Sequence, residues 1–173
     1  DEISAELEHG EFLKTPQGEI TQIDGERHSN GGVKLTEEQI PNGSEVISDH
    51  LELTKEQKDY FTKQHGLKFS TKDTYADILH KWNKKSGLEK NVEEQEAIIK
   101  GIEKQTKLLH EKPEAEVTLN LNINLLQKEL SELEKQKQPL EEERKEIFDK
   151  VFQAQESQKA EKNQQEVMQD GGM

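Results

Sequence analysis

The sequence predicts an α+β protein in which a small β-rich N-terminal head precedes a mainly α, elongated helical hairpin of the coiled-coil type. Three observations lead to this fold class. Only 29% of the residues are hydrophobic and 35% are charged, which is too polar for one large core and favours long helices. Glycines punctuate the first 53 residues. After Gly87, aliphatic residues recur at alternating steps of four and three.

The head is expected to span residues 1–53, because turn residues there separate short apolar runs. The expected strands are Glu11–Lys14, Glu19–Asp24, Gly32–Leu35 and Glu45–Ser48. Thr15-Pro16-Gln17-Gly18 suits a turn between two strands, since proline presets φ and glycine tolerates positive φ. Asn42-Gly43 has the same role before the last strand. So small a head has a small hydrophobic core, and we expect the helices or a partner to cover it.

Short helices are expected at 54–87, where they join the head to the hairpin. Thr54-Lys55-Glu56-Gln57 is a capping box that starts the first helix, and Gly66 ends it. Ser70-Thr71-Lys72-Asp73 indicates the start of the second, and Gly87 lies just past its end. Trp82 is the only tryptophan, so we expect it to anchor the packing of this region.

Two aliphatic stripes predict long antiparallel helices over 88–173, with a tail that is solvated and frays from Gln153 onward. The expected packing and interaction residues, besides Trp82, are Leu88, Val92, Ile99, Ile102 and Leu109 in the first stripe, and Leu126, Leu130, Leu133, Leu140, Ile147 and Val151 in the second. Residues 110–116, which include Pro113, are expected to connect the helices. Pro139 predicts a kink or break near Gln138, with Glu141–Glu143 at a fresh helix start.

Charge and composition argue against several functions. With 37 acidic against 24 basic residues, the net charge of -13 argues against direct nucleic-acid binding. The absence of cysteine excludes disulfides and thiolate metal sites. No apolar run is long enough for a membrane span and no signal peptide begins the chain, so we expect a water-soluble protein without a membrane partner. Both ends look cut, which suggests a piece of a longer chain.

The sequence predicts no catalytic, cofactor-binding or metal-binding residues. The six histidines are scattered, and no pair has the spacing of a helical metal site. The most distinctive cluster is His28-Ser29-Asn30-Gly31-Gly32, for which a tight turn is favoured over a phosphate loop or a Ser/His catalytic pair. No Lys-Ser/Thr follows the glycines as a P-loop requires, and no nucleophile elbow is present.

Three segments of the head carry a recognisable pattern: Glu11–Gly18, Gly25–Val33 and Ile40–Asp49. The pattern combines a P-D-G turn, a G-x-x-H-x-x-G-G-I/V segment and a P-x-G-T/S-x-V-x-S-D segment, with Gln17 in place of the usual Asp. It resembles a module in virion proteins of tailed bacteriophages, especially crAss-like phages. The head turn motif of this module corresponds to His28, Gly31, Gly32, Pro41, Gly43 and Asp49. Thr74–Leu79 and Phe152–Glu156 look like the helices that follow in that family.

The resemblance implies a non-enzymatic virion structural or assembly protein that binds other virion proteins of the capsid, portal or tail through its helical seams. It also implies a homo-oligomer or several copies in the particle, and it supplies no catalytic residues. Two alternatives stay open. One is an internal scaffolding or cargo protein that is processed or ejected during assembly or infection. The other is a small hydrolase with a pocket around His28 and Asp49.

Overall fold

A computed structural model describes residues 3–23, 33–36 and 40–171 of the 173-residue chain. The predicted α+β fold is confirmed, because short antiparallel strands near the N-terminus are followed by helices. The strands are β1 (Ile3–Leu7), β2 (Phe12–Lys14), β3 (Ile20–Gln22), β4 (Val33–Thr36) and β5 (Glu45–Ile47). The α-helices are α1 (Lys55–His65), α2 (Tyr75–Ser86), α3 (Leu88–Glu111) and α4 (Glu116–Gly171). A 3-10 turn at Pro113–Ala115 precedes α4.

The chain divides into two compact units. The head unit contains Asp1–Trp82 together with Lys145–Met173, and the hairpin unit contains Asn83–Arg144. This division differs from the three segments expected at 1–53, 54–87 and 88–173. The joining helices and the last part of α4 belong with the strands, because their apolar side chains are buried in the core of the head unit.

The central sheet of the head unit has the strand order β3-β2-β5, and its pairings are antiparallel. The predicted turn joins β2 to β3: the Gly18 N–H donates to the Thr15 carbonyl at 2.9 Å, and Gly18 has a φ of +91°. Gly43 has a φ of +87° in the corresponding turn before β5. Both positions favour glycine, because side chains with a Cβ rarely adopt such angles. β1 pairs with β4 in a separate two-stranded ribbon, and β1 was not predicted from the sequence.

The last part of α4 covers the thin sheet. Ile147, Phe148 and Val151 are at most 1% exposed in the head unit. Lys14 on β2 donates to Asp149 on α4 at 2.5 Å, and its ammonium lies 5.7 Å from the centre of the Phe148 ring. The head therefore packs against a helix, as expected. Ile147 and Val151 serve this core, whereas the sequence placed them in the seam of the hairpin.

Two glutamines of the α4 tail also hold the head unit. Gln155 is fully buried and lies along the outer edge of β5. Its side-chain Oε1 accepts a hydrogen bond from the Ser48 N–H at 2.7 Å, and its Nε2 donates to the Val46 carbonyl at 2.9 Å. One turn later, the Tyr75 hydroxyl donates to the side-chain oxygen of Gln158. The tail is therefore not uniformly solvated, since its polar side chains complete the backbone hydrogen bonding of the head.

The starts of α1 and α2 follow two different capping patterns. Thr54 caps α1 as predicted, by accepting an N–H bond from the first turn at 3.1 Å, and Gly66 ends the helix at a φ of +66°. The segment Ser70–Asp73 forms a hydrogen-bonded turn instead of the predicted helix start. The capping residue of α2 is Thr74, whose N–H donates to Asp77 at 2.8 Å. The sequence placed the cap four residues early, because both segments begin with a hydroxyl and end with Asp.

The hairpin unit has α3 and the first part of α4 side by side in opposite directions. Three contacts define the register: Asn91 with Leu133, Gly101 with Leu126, and Gln105 with Asn122. Residue numbers fall along α4 as they rise along α3, so the helices are antiparallel as predicted. The connection at Pro113–Ala115 lies within the predicted 110–116 segment.

A kink or break was predicted near Gln138, and the break does not occur. α4 continues as one helix through Pro139 from Glu116 to Gly171, and Glu141–Glu143 does not begin a new helix. Proline removes one backbone hydrogen bond from a helix, but tertiary packing on both sides can hold the helix together across this defect.

Candidate interaction surface on the helical hairpin

The seam between α3 and α4 contains a buried polar layer. Leu88 is 2% exposed at its start, followed by Asn91 at 7% and Gln95 at 9%. The Asn91 amide donates to the Leu133 carbonyl at 3.0 Å, and Gln95 donates to the Asn91 side-chain oxygen at 2.7 Å. Polar groups buried in a helical seam need partners, and they disfavour other registers in which those partners are lost. This layer therefore defines how α3 lies against α4.

On α3, every second position of the buried seam lies one residue before the position predicted from the aliphatic stripe. Ile99 is 43% exposed, whereas its neighbour Ile98 is half-buried. Asn91 is likewise more buried than Val92, because its amide bonds to the α4 backbone. The steps along the seam are thus three then four from Leu88, not four then three. Aliphatic character alone missed this phase, since polar residues occupy two of the buried positions.

The remaining predicted packing residues are buried or half-buried. Leu88 and Trp82 are buried in the hairpin unit and the head unit, respectively. The half-buried members are Val92, Ile102, Leu109, Leu126, Leu130, Leu133 and Leu140. Arg144 is also half-buried on α4; burial lowers the pKa of its guanidinium, while the negative charge of Glu141 raises it.

A row of exposed aliphatic side chains lies on α4. Val117 is 85% exposed, Leu121 is 58% exposed and Leu125 is 57% exposed. Residues four apart lie on the same face of a helix, so these three side chains form one stripe. We call Val117, Leu121 and Leu125 the α4 stripe. Single exposed aliphatic residues are ordinary, but a continuous row of them is typical of a binding surface.

The α4 stripe lies in a segment whose apolar residues alternate with polar ones and do not recur at the steps of four and three used to find the seams. Between Val117 and Leu125, apolar residues alternate with Thr or Asn at every second position. On a helix this alternation distributes apolar side chains over opposite faces. Leu119 is accordingly 8% exposed, while Leu121 two residues later is 58% exposed. The period-two pattern, applied to a helix, would have predicted both a seam face and an exposed apolar face.

A groove of about 850 Å³ adjoins the stripe on the side of the hairpin. Its apolar lining consists of Ala97, Ile98, Leu125 and Leu133, and its charged lining consists of Glu94, Lys128, Glu129 and Glu132. Leu125 belongs to both the stripe and the groove. The apolar surface therefore continues from α4 towards α3.

The head turn motif of the sequence analysis is only partly within the described residues. His28, Gly31 and Gly32 lie outside them. Pro41 and Gly43 form the turn before β5, where the Ser44 N–H donates to the Pro41 carbonyl at 3.1 Å. Asp49 accepts a hydrogen bond from the Thr74 hydroxyl at 3.1 Å, and a Cβ built on Gly10 would come within 2.8 Å of its carboxylate. Asp49 thus bonds to the capping residue of α2, and its carboxylate lies close to Gly10 in the turn after β1.

The head unit also contains two buried carboxylates. Glu8 is 3% exposed and Glu11 is 7% exposed. Glu11 accepts a hydrogen bond from the Glu8 N–H at 2.7 Å, and the Glu8 carboxylate pairs with the His50 ring. These bonds satisfy the carboxylates internally, which is how buried charges are accommodated in proteins. Within residues 7–23 and 40–165, no three His, Asp or Glu side chains form a group that could hold a metal ion.

None of the helices in the described segments combines the length and the apolar character needed to cross a membrane. Among the described residues, the exposed large hydrophobic side chains are those of Tyr60 and Ile99 and the three of the α4 stripe. Comparison with protein-family models, with curated proteins and with solved structures found no match to this chain.

Proposed function

We propose that this chain is a non-enzymatic structural or assembly protein whose hairpin binds other proteins through the α4 stripe. The observation that carries the proposal is the exposure of Val117, Leu121 and Leu125 in one row on α4. Burying an aliphatic side chain stabilises a complex by roughly 1.5–3 kcal/mol. Three such side chains on one rigid helix give a partner a continuous surface to cover.

The hydrogen bonds of the seam support a rigid binding surface. The Asn91 amide bonds α3 to the α4 backbone, and Gln95 donates to the Asn91 side-chain oxygen within α3, so the stripe is presented on a helix whose register is already defined. A preorganised surface loses less conformational entropy on binding than a flexible one. More of the free energy released by burying the stripe is therefore available to stabilise the complex.

The resemblance of the head to a module of tailed-bacteriophage virion proteins supports the choice of partners. We place the chain in the virion, in several copies, bound to other virion proteins of the capsid, portal or tail, and we assign it no cofactor. The scaffolding or cargo alternative uses the same surface but differs in timing. It predicts a chain that is present in precursor particles and lost from mature ones.

Mass spectrometry of purified precursor and mature particles tests this proposal. We expect the chain in mature particles at a fixed stoichiometry. We also expect the double substitution Leu121→Lys, Leu125→Lys to remove it, because two lysines cannot be buried without partners. Gln136→Lys is the matched control, since it adds a charge to an exposed position of the same helix that is not part of the stripe.

Three outcomes are informative. If mature particles contain the wild-type chain and the control variant but not the double variant, the structural role is supported. Presence only in precursor particles favours the scaffolding alternative. Absence of the wild-type chain from both kinds of particle overturns the virion assignment, and equal incorporation of wild type and double variant overturns the role of the stripe.

A further inference from the structure

We propose that the α4 stripe binds a second copy of this chain, with the two α4 segments antiparallel and Leu121 opposite Leu121. This inference rests on the proposed function, in which the stripe is a protein-binding surface. It adds the identity of one partner and the register of the contact.

The first argument is the absence of charge along the stripe. Residues 117–127 contain no Asp, Glu, Lys or Arg, and this run of 11 residues is the longest uncharged run in a sequence that is 35% charged. Two copies that each carry a net charge of -13 repel one another. The repulsion is smallest where neither copy presents a charge, so the uncharged run is the surface best suited to contact between copies.

The second argument is the charge at the two ends of this run. Glu114 and Glu116 lie before it and Lys128 follows it, and all three side chains are exposed. Lys128 is seven residues after Leu121 on α4, a spacing that keeps side chains on nearly the same face of a helix, and Glu114 lies seven residues before Leu121, in the 3-10 turn that leads directly into α4. One end of the stripe therefore carries a negative charge and the other a positive charge.

These charges select the antiparallel arrangement. With Leu121 on the two-fold axis, Val117 lies opposite Leu125 of the second copy, and Glu114 lies opposite its Lys128. The contact is self-complementary, as a two-fold interface requires. A parallel arrangement would instead place Glu114 against Glu114 and Lys128 against Lys128, and like charges in contact disfavour association.

Sedimentation velocity of the purified full chain over a range of concentrations tests the charge pairing. We expect a reversible dimer, and we expect Glu114→Lys or Lys128→Glu alone to raise the dimer dissociation constant about tenfold, because each creates two like-charge contacts. An equimolar mixture of the two variants should recover the wild-type dissociation constant, since the mixed dimer restores both opposite-charge pairs. A mixture as weak as the separate variants, or a wild-type chain that stays monomeric at millimolar concentration, overturns the inference.

Cysteine substitution tests the register, because the natural chain contains no cysteine. Leu121→Cys should form a disulfide-linked dimer under mild oxidation, since residues on the two-fold axis bring their Cα atoms close together. Val117→Cys and Leu125→Cys should link efficiently only when the two variants are mixed. Lys104→Cys on α3 is the control for random collision. Equal linking of Leu121→Cys and Lys104→Cys contradicts the proposed axis.

The dimer and the proposed function can fail independently. A monomeric purified chain together with loss of the double lysine variant from particles would overturn the dimer and keep the stripe as a surface for another virion protein. A dimer in solution together with normal incorporation of that variant would keep the dimer and overturn the role of the stripe in the particle.

Discussion

Gln155 on α4 accepts a hydrogen bond at 2.7 Å from the backbone N–H of Ser48, a residue 107 positions earlier in the chain. The same side-chain amide donates to the Val46 carbonyl, so it pairs with β5 much as a neighbouring strand would. A sheet edge with unpaired backbone groups is a site of unwanted strand pairing. Here one buried side chain closes that edge.

Replacing Gln155 with alanine should destabilise the protein. The Ser48 N–H and the Val46 carbonyl would lose their partner next to a fully buried position, and an unsatisfied buried polar group costs about 1–3 kcal/mol. Urea unfolding followed by circular dichroism measures the change. Gln153→Ala, at an exposed position of the same helix, should change the free energy of unfolding by less than about 0.5 kcal/mol. Equal effects of the two substitutions would contradict the edge-closing role.

The phase of the hairpin seam predicts unequal effects for two aliphatic residues of α3. Leu88→Ala should lower the free energy of unfolding by about 2–5 kcal/mol, because Leu88 is 2% exposed. Ile99→Ala should lower it by about 1 kcal/mol or less, because Ile99 is 43% exposed. Urea unfolding of both variants under the same conditions makes the comparison. If Ile99→Ala proves the more damaging, the seam passes through 99 and not through 98.

Removing the proline from α4 should stabilise the helix. Pro139 is exposed and lies inside a continuous helix, where proline is about 3 kcal/mol less favourable than alanine. Because the folded helix has adapted to it, we expect Pro139→Ala to raise the free energy of unfolding by about 1–3 kcal/mol. Gln138→Ala, at the preceding exposed position, is the control and should have little effect. A loss of stability in Pro139→Ala would mean that the proline geometry itself is needed for packing.

The Tyr75 phenol makes stability depend on alkaline pH. Burial, and to a lesser extent the negative charge of Glu161, raise its pKa from 10.0 to about 12. Below pH 10 the phenol is protonated in both the folded and the unfolded chain, so its contribution to stability is fully present. Between pH 10 and about 12 the unfolded chain ionises first, and this contribution is progressively lost.

Absorbance titration of phenolate in a Tyr60→Phe variant measures this pKa directly. Tyr75 is then the only tyrosine, and Tyr60 is 41% exposed, so its ring can be changed with little effect on the core. We expect a midpoint near pH 12, coupled to loss of the circular dichroism signal. A midpoint near pH 10 in a chain that is still folded would contradict the burial of this hydroxyl.

Local sequence signals predicted much of the fold. Gly18 and Gly43 were identified as turn positions because only a few residue types tolerate positive φ. Thr54 was identified as a helix cap because its hydroxyl can satisfy a free N–H of the first turn. The break expected at Pro139 did not occur, since a local preference can be overcome by packing along the rest of the helix.

The candidate surface was harder to predict, because burial depends on what the rest of the chain covers. The aliphatic stripes were found by their spacing, but the choice between Ile98 and Ile99 depended on the hydrogen bond from Asn91 to α4. The α4 stripe was missed, since Val117, Leu121 and Leu125 alternate with polar residues in a pattern that resembles a strand.

The sequence by itself determined the fold class, the turns, the first helix cap and the antiparallel pairing of α3 with α4. These features depend on residues within a few positions of one another or on a repeat that runs the length of a helix. The tertiary structure decided that the last part of α4 belongs to the head unit, that Gln155 closes β5, and that one aliphatic face of α4 stays exposed. Each of these depends on contacts between distant segments, and no local pattern specifies which distant surface will cover a given side chain.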